Sequence, residues 1–168
     1  MFGVLRRPSS ALVRRVVPAM AGLAIASGAI VLAGSAASAE GPSCRYDGQR
    51  NTCLWITETW PGSDVYEVHI GIDVYMNPAQ AQDIFDRGGW FTSRVMGDDP
   101  SNDALLFHLD VQSQGVAPFG LSAEFHTQVP GSWLDEDWGW DEVYATVVLT
   151  DPGRSSRSFN TGVITGDF

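Results

Sequence analysis

The chain has 168 residues, with 10 basic and 20 acidic side chains, a formal net charge of −10 and a pI near 4.5. Every basic residue is arginine, and so acidic a surface repels nucleic acid and anionic lipid, whose binding depends on Lys and Arg neutralising phosphates. Composition therefore points to cations or neutral ligands, and it keeps an exported protein dispersed.

Residues 1–39 read as an export signal. Arg6, Arg7, Arg14 and Arg15 make a basic start, an apolar run follows, and Ala37-Ser38-Ala39 is the small-residue site that a signal peptidase accepts. The alternative is a membrane anchor, but the run is rich in Ala and Gly and ends in the cleavage-type sequence. Cleavage after Ala39 is expected to release a secreted domain, residues 40–168, without a stable membrane anchor. That domain keeps 10 − 4 = 6 Arg against 20 acids, a net charge of −14. Its 168 − 39 = 129 residues suit a single domain.

Cys44 and Cys53 are the only cysteines. In an exported chain this spacing predicts a disulfide around the turn-like stretch RYDGQRNT, because the spacing fits no zinc or redox motif. Closing a loop of about ten residues stabilises a fold by roughly 2.7 kcal/mol in the chain-entropy model.

CLWITETW (53–60), rich in β-branched and aromatic residues and stopped by Pro61-Gly62, predicts a strand. DVYEVHIGIDVYM (64–76) alternates: Tyr66, Val68, Ile70, Ile72 and Val74 fall on one face, Glu67, His69 and Asp73 on the other. Asn77-Pro78 then supplies a helix cap and first-turn proline, AQAQDIFDR places Ala81, Ile84 and Phe85 at helical spacing, and Gly88-Gly89 ends the element. A helix this short must dock its apolar face on the sheet. WFTSRVM (90–96) is the next strand, followed by the acidic turn GDDPSND. ALLFHLDVQ (104–112) reads as one strand with Leu105, Phe107, Leu109 and Val111 inward, and SQGVAP as the turn after it. FGLSAEFHTQV (119–129) sends Phe119, Leu121, Ala123 and Phe125 inward, EVYATVVLT (142–150) sends Val143, Ala145, Val147 and Leu149 inward, and SFNTGVITGDF closes the chain. Seven strands separated by turns, with one inserted helix and no strand–helix alternation, predict an all-β antiparallel sandwich.

Each of the three histidines stands two residues from an acid on an outward strand face: Glu67/His69, His108/Asp110 and Glu124/His126. Residues i and i+2 share a face about 6.6 Å apart, and pairing across SQGVAP would allow His108 to stand opposite Glu124. Such a face offers a metal site or an acid–base pair, since imidazole is a common metal ligand and a carboxylate can co-ligate or fix its tautomer. The plainer reading is that outward positions are polar and acids abundant.

The acidic turns are candidate calcium sites. Asp98, Asp99 and Asp103 lie in one, and Asp135, Asp137 and Asp141 in WLDEDWGWDEVY, where Gly139 permits a tight bend. The latter is no EF-hand loop: its fifth position is Gly139 and its twelfth Thr146. Solvated loops are the alternative. Of the six tryptophans, Trp55 and Trp90 are expected to pack on the sandwich. Trp133, Trp138 and Trp140 flank or occupy the acidic stretch, where aromatic faces could meet sugar rings and carboxylates accept hydroxyl hydrogen bonds.

No nucleophile elbow, HExxH, phosphate loop or dinucleotide fingerprint occurs. The leading expectation is a secreted, non-catalytic binding domain that takes an extracellular carbohydrate or protein ligand on the acidic Trp-bearing loop, with Ca2+ as a possible cofactor. The alternatives are a small metal-dependent hydrolase using the His–carboxylate face, and a protease inhibitor presenting Arg45 or Arg50 of the disulfide loop.

Overall fold

A computed structural model describes residues 41–100, 102–135 and 139–168. The expected export signal, Asp137 and Trp138 lie outside the described residues. Within them the chain forms ten strands in two antiparallel sheets: β1 (Ser43–Tyr46), β2 (Arg50–Glu58), β3 (Val65–Tyr75), β4 (Trp90–Gly97), β5 (Ala104–Leu109), β6 (Val111–Ala117), β7 (Gly120–Pro130), β8 (Asp141–Thr150), β9 (Arg157–Asn160) and β10 (Ile164–Gly166). The first sheet runs β1-β2-β3-β7-β6 and the second β10-β8-β4-β5, with β9 also paired to β8. This is the predicted sandwich. No described helix is long and apolar enough to cross a membrane.

Period-two alternation builds the core. Val68, Ile70 and Ile72 of β3 and Leu121, Ala123 and Phe125 of β7 are buried against Val143, Ala145, Val147 and Leu149 of β8. Phe125 and Leu54 are wholly inaccessible. The opposite side chains of β3 and β7 are left facing outward, and that outer face carries the site described below.

Cys44 and Cys53 are bonded and stand directly opposite each other, so the disulfide fastens the four-residue edge strand β1 to β2. The turn between them is closed by Asp47, whose Oδ1 accepts from the amides of Gln49 and Arg50 at 3.0 and 3.2 Å, with Gly48 at φ +82°. Arg50 points back over the Phe159 ring at 5.0 Å and pairs with Asp47 at 3.0 Å.

Helix α1 (Pro78–Asp86) starts where expected: Asn77 Oδ1 accepts from the Ala79 amide at 2.8 Å, and Pro78 opens the first turn. Ala81 and Ile84 are buried beside β6 and β7. Phe85, expected to dock with them, is 41% exposed. One helical step from Ile84 carries it to the margin of a stripe only two residues wide. Arg87 ties the helix end to Asp83 and, at 2.6 Å, to the buried Asp151.

The stretch 104–117 corrects the expected layout. It is two strands in different sheets, β5 in the second and β6 in the first, with SQGVA inside β6. The bend falls at Asp110, where neither glycine nor proline marks it, and Gly115 has no positive φ and continues the ladder. Consequently Val111 is 38% exposed and Ser113 rather than His108 stands opposite Glu124, while Leu105, expected inward, is 51% exposed where the β4–β5 register shifts at Val95/Met96. Phe119 is also outside the core, at 44% exposure. Gly120 takes φ +144°, a glycine conformation, which throws its predecessor out of phase with Leu121.

Candidate ligand-binding site

The outer face of the first sheet is laid out by register. Trp55 of β2 pairs with His69 of β3, and His69 with His126 of β7, so three rings form one row across three strands. On one side lies the row Thr57, Glu67, Gln128, and on the other Cys53, Gly71, Glu124 and Ser113. Trp55 stacks on His69 with ring centroids 4.8 Å apart and planes 20° from parallel, while His69 meets His126 edge-on at 6.4 Å.

Each histidine bonds the acid of the other strand. His69 Nε2 is 2.6 Å from Glu124 Oε2, and His126 Nε2 is 2.6 Å from Glu67 Oε1. The two contacts cross diagonally between β3 and β7, within the reach of long side chains in neighbouring rows. A carboxylate can only accept, so the His69–Glu124 hydrogen bond assigns the His69 proton to Nε2 and leaves its Nδ1 as an acceptor when the ring is neutral. Gly71 makes room for this: a Cβ there would lie 3.1 Å from Glu124 Oε2 and 3.4 Å from Trp55 Cζ3. Trp55, Thr57, Glu67, His69 and His126 enclose a shallow groove of about 370 Å³. Its polar groups are mainly acceptors, so it suits a ligand rich in hydroxyl or ammonium donors.

Of the residues singled out by sequence, the structure brings together Glu67, His69, Glu124 and His126, with partners exchanged between strands. His108 and Asp110 stand apart from them. His108 is exposed in the second sheet, opposite Arg94, with Nδ1 3.3 Å from the Ser93 carbonyl oxygen, and Asp110 is exposed at the bend. Trp55 and Gly71 were missed as site residues; a glycine inside an alternating strand is the signal of a close approach that would have found them. Trp90, expected to pack on the sandwich, is 45% exposed at the start of β4.

The acidic segments meet at one end of the second sheet. The Asp98 amide donates to the Glu142 carbonyl at 2.7 Å, and the Tyr144 hydroxyl donates to Asp103 Oδ2 at 2.6 Å. Burial, reinforced by that hydrogen bond and by the charges of Asp103 and Asp98, pushes the Tyr144 hydroxyl up to about 12. Asp141 is buried, whereas Asp135 is exposed. Trp133 leans on Phe107 with centroids 5.7 Å apart, and Trp140 is 75% exposed. Among the described residues no three His, Cys, Asp or Glu side chains converge as a metal site.

No family model, curated protein or solved structure matches this chain.

Proposed function

We propose that this chain is a secreted, non-catalytic binding domain that takes a carbohydrate on the outer face of its first sheet, at Trp55, Glu67, His69, Glu124 and His126. The observation that carries this reading is the crossed pair of His–carboxylate contacts, each 2.6 Å, beside Trp55 in an open groove. Two carboxylates and the His69 imidazole acceptor present sites for sugar hydroxyls, and an indole edge supplies apolar contact for a sugar ring. The groove is shallow and open, which favours holding a ligand on its surface over enclosing one for reaction.

The test is a glycan array on the intact domain, followed by titration of tryptophan fluorescence. A saturable quench by an arrayed sugar, lost in Trp55→Ala with the circular dichroism spectrum retained, is the expected result. Undiminished binding by that variant would remove the reading.

A second reading places the ligand on the acidic, Trp-bearing loop with calcium assistance, and the 75% exposure of Trp140 beside the converging acidic segments favours it. A melting temperature raised by millimolar calcium and lowered again by chelator supports it; an unchanged melt rejects it.

A further inference from the structure

We infer that the ligand of this face is a linear, cationic amino-sugar polymer lying along β3, gripped by Trp55 at one end and by an aromatic cluster of Tyr46, Tyr75 and Phe119 at the other. The inference rests on the reading of the face as a carbohydrate site, and it adds the ligand's shape and charge. The same outward stripe that holds Glu67, His69 and Gly71 continues through Asp73 to Tyr75. There Tyr75 meets Tyr46 edge-on at 6.2 Å and Phe119 at 5.7 Å, and Tyr46 and Phe119 are 68% and 44% exposed. Three aromatic rings held together on a polar sheet face with this exposure have no core to serve.

From His69 to Tyr75 is six residues, or about 20 Å of extended strand. The floor between the two aromatic ends is polar. The Glu124 carboxylate and the edge of the Trp55 ring lie over Gly71, and Asp73 accepts from the Ser122 hydroxyl at 2.9 Å. A compact ligand could occupy the Trp55 groove alone; only an extended one reaches both ends.

Charge selects its chemistry. The outward positions of β2, β3 and β7 are Asn51, Cys53, Trp55 and Thr57; Glu67, His69, Gly71, Asp73 and Tyr75; and Ser122, Glu124, His126 and Gln128. Three are carboxylates and none is Lys or Arg. The face thus attracts ammonium groups and repels uronates, sulfates and phosphates. A β-linked glucosamine polymer combines the repeated ammonium, the hydroxyl donors and the apolar ring faces that this stripe can satisfy.

The test titrates the intact domain with glucosamine dimer and hexamer, their N-acetylated counterparts, and a lysine hexamer. Affinity is expected to rise more than tenfold from glucosamine dimer to hexamer and to fall more than tenfold on N-acetylation of the hexamer. Raised salt should erase the latter difference. Tyr75→Ala should abolish the gain with length while leaving dimer binding intact. Tyr46→Ala, altering an exposed side chain at the sheet edge, should reduce that gain without endangering the fold. Equal binding of dimer and hexamer, or of the acetylated and free hexamers, would overturn the inference while leaving the carbohydrate reading in place. A lysine hexamer binding as tightly as the glucosamine hexamer would overturn it in favour of a basic peptide. Failure of every sugar, on the array and here, would remove both.

Discussion

The crossed His–carboxylate contacts can be measured by double-mutant cycles. His69→Gln and Glu124→Gln, singly and together, isolate the first contact, and His126→Gln with Glu67→Gln the second. Both pairs have 2.6 Å contacts, but their side chains remain accessible, 39% and 46% in one pair and 42% and 50% in the other. Water therefore screens them, and the coupling should be that of exposed polar and ionic pairs, about 0.2–1 kcal/mol each. The informative control lies within the strands. Glu67/His69 and Glu124/His126 share a strand and a face about 6.6 Å apart, yet each group's short contact is to the other strand, so their coupling should fall below about 0.2 kcal/mol. Urea unfolding is the suitable assay, because a change of this size moves a thermal midpoint by only a few degrees. Same-strand couplings larger than the cross-strand ones would refute the β3–β7 register and, with it, the proposed site.

Three further outcomes follow from the packing. Gly120→Ala should destabilise the domain by more than about 2 kcal/mol in urea unfolding, since φ is +144° and the new Cβ would fall 2.0 Å from the Val74 carbonyl oxygen; Gly48→Ala, in open space, should cost less. Alkaline titration followed by tyrosinate absorbance should find one tyrosine ionising near 12, and Asp103→Asn should lower it. Because Tyr144 is raised from 10.0 to about 12 on folding, the stability it contributes is fully present below pH 10 and is lost as pH rises through about 12. Reduction of Cys44–Cys53 should cost roughly 2.7 kcal/mol, read as a lower urea midpoint in dithiothreitol, and an unchanged midpoint would show that β1 needs no fastening.

The sandwich class was legible because burial on one side of a strand writes itself into the chain with period two. Tyr66 through Val74, and Val143 through Leu149, could be assigned to the core from alternation alone. The Asn77-Pro78 helix start and the Cys44–Cys53 bond were legible for the same reason: each depends on chemistry confined to a few neighbouring residues. Local signals failed where geometry was set from outside. Asp110 bends the chain between sheets with no Gly or Pro to announce it, Phe119 is displaced by the backbone of Gly120, and Phe85 lies just beyond the width of its docking stripe.

The candidate site divides along the same line. Its ingredients, three histidines each beside an acid on an outward face, were readable, and two of those pairs do share a site. What no periodicity encodes is which strand lies beside which. Only the fold brings β3 against β7, sets His69 opposite His126 across an intervening stretch of more than fifty residues, and so turns two same-strand neighbours into exchanged partners. Alternation specifies the face a side chain takes; hydrogen-bonded register between distant strands specifies the atom it meets.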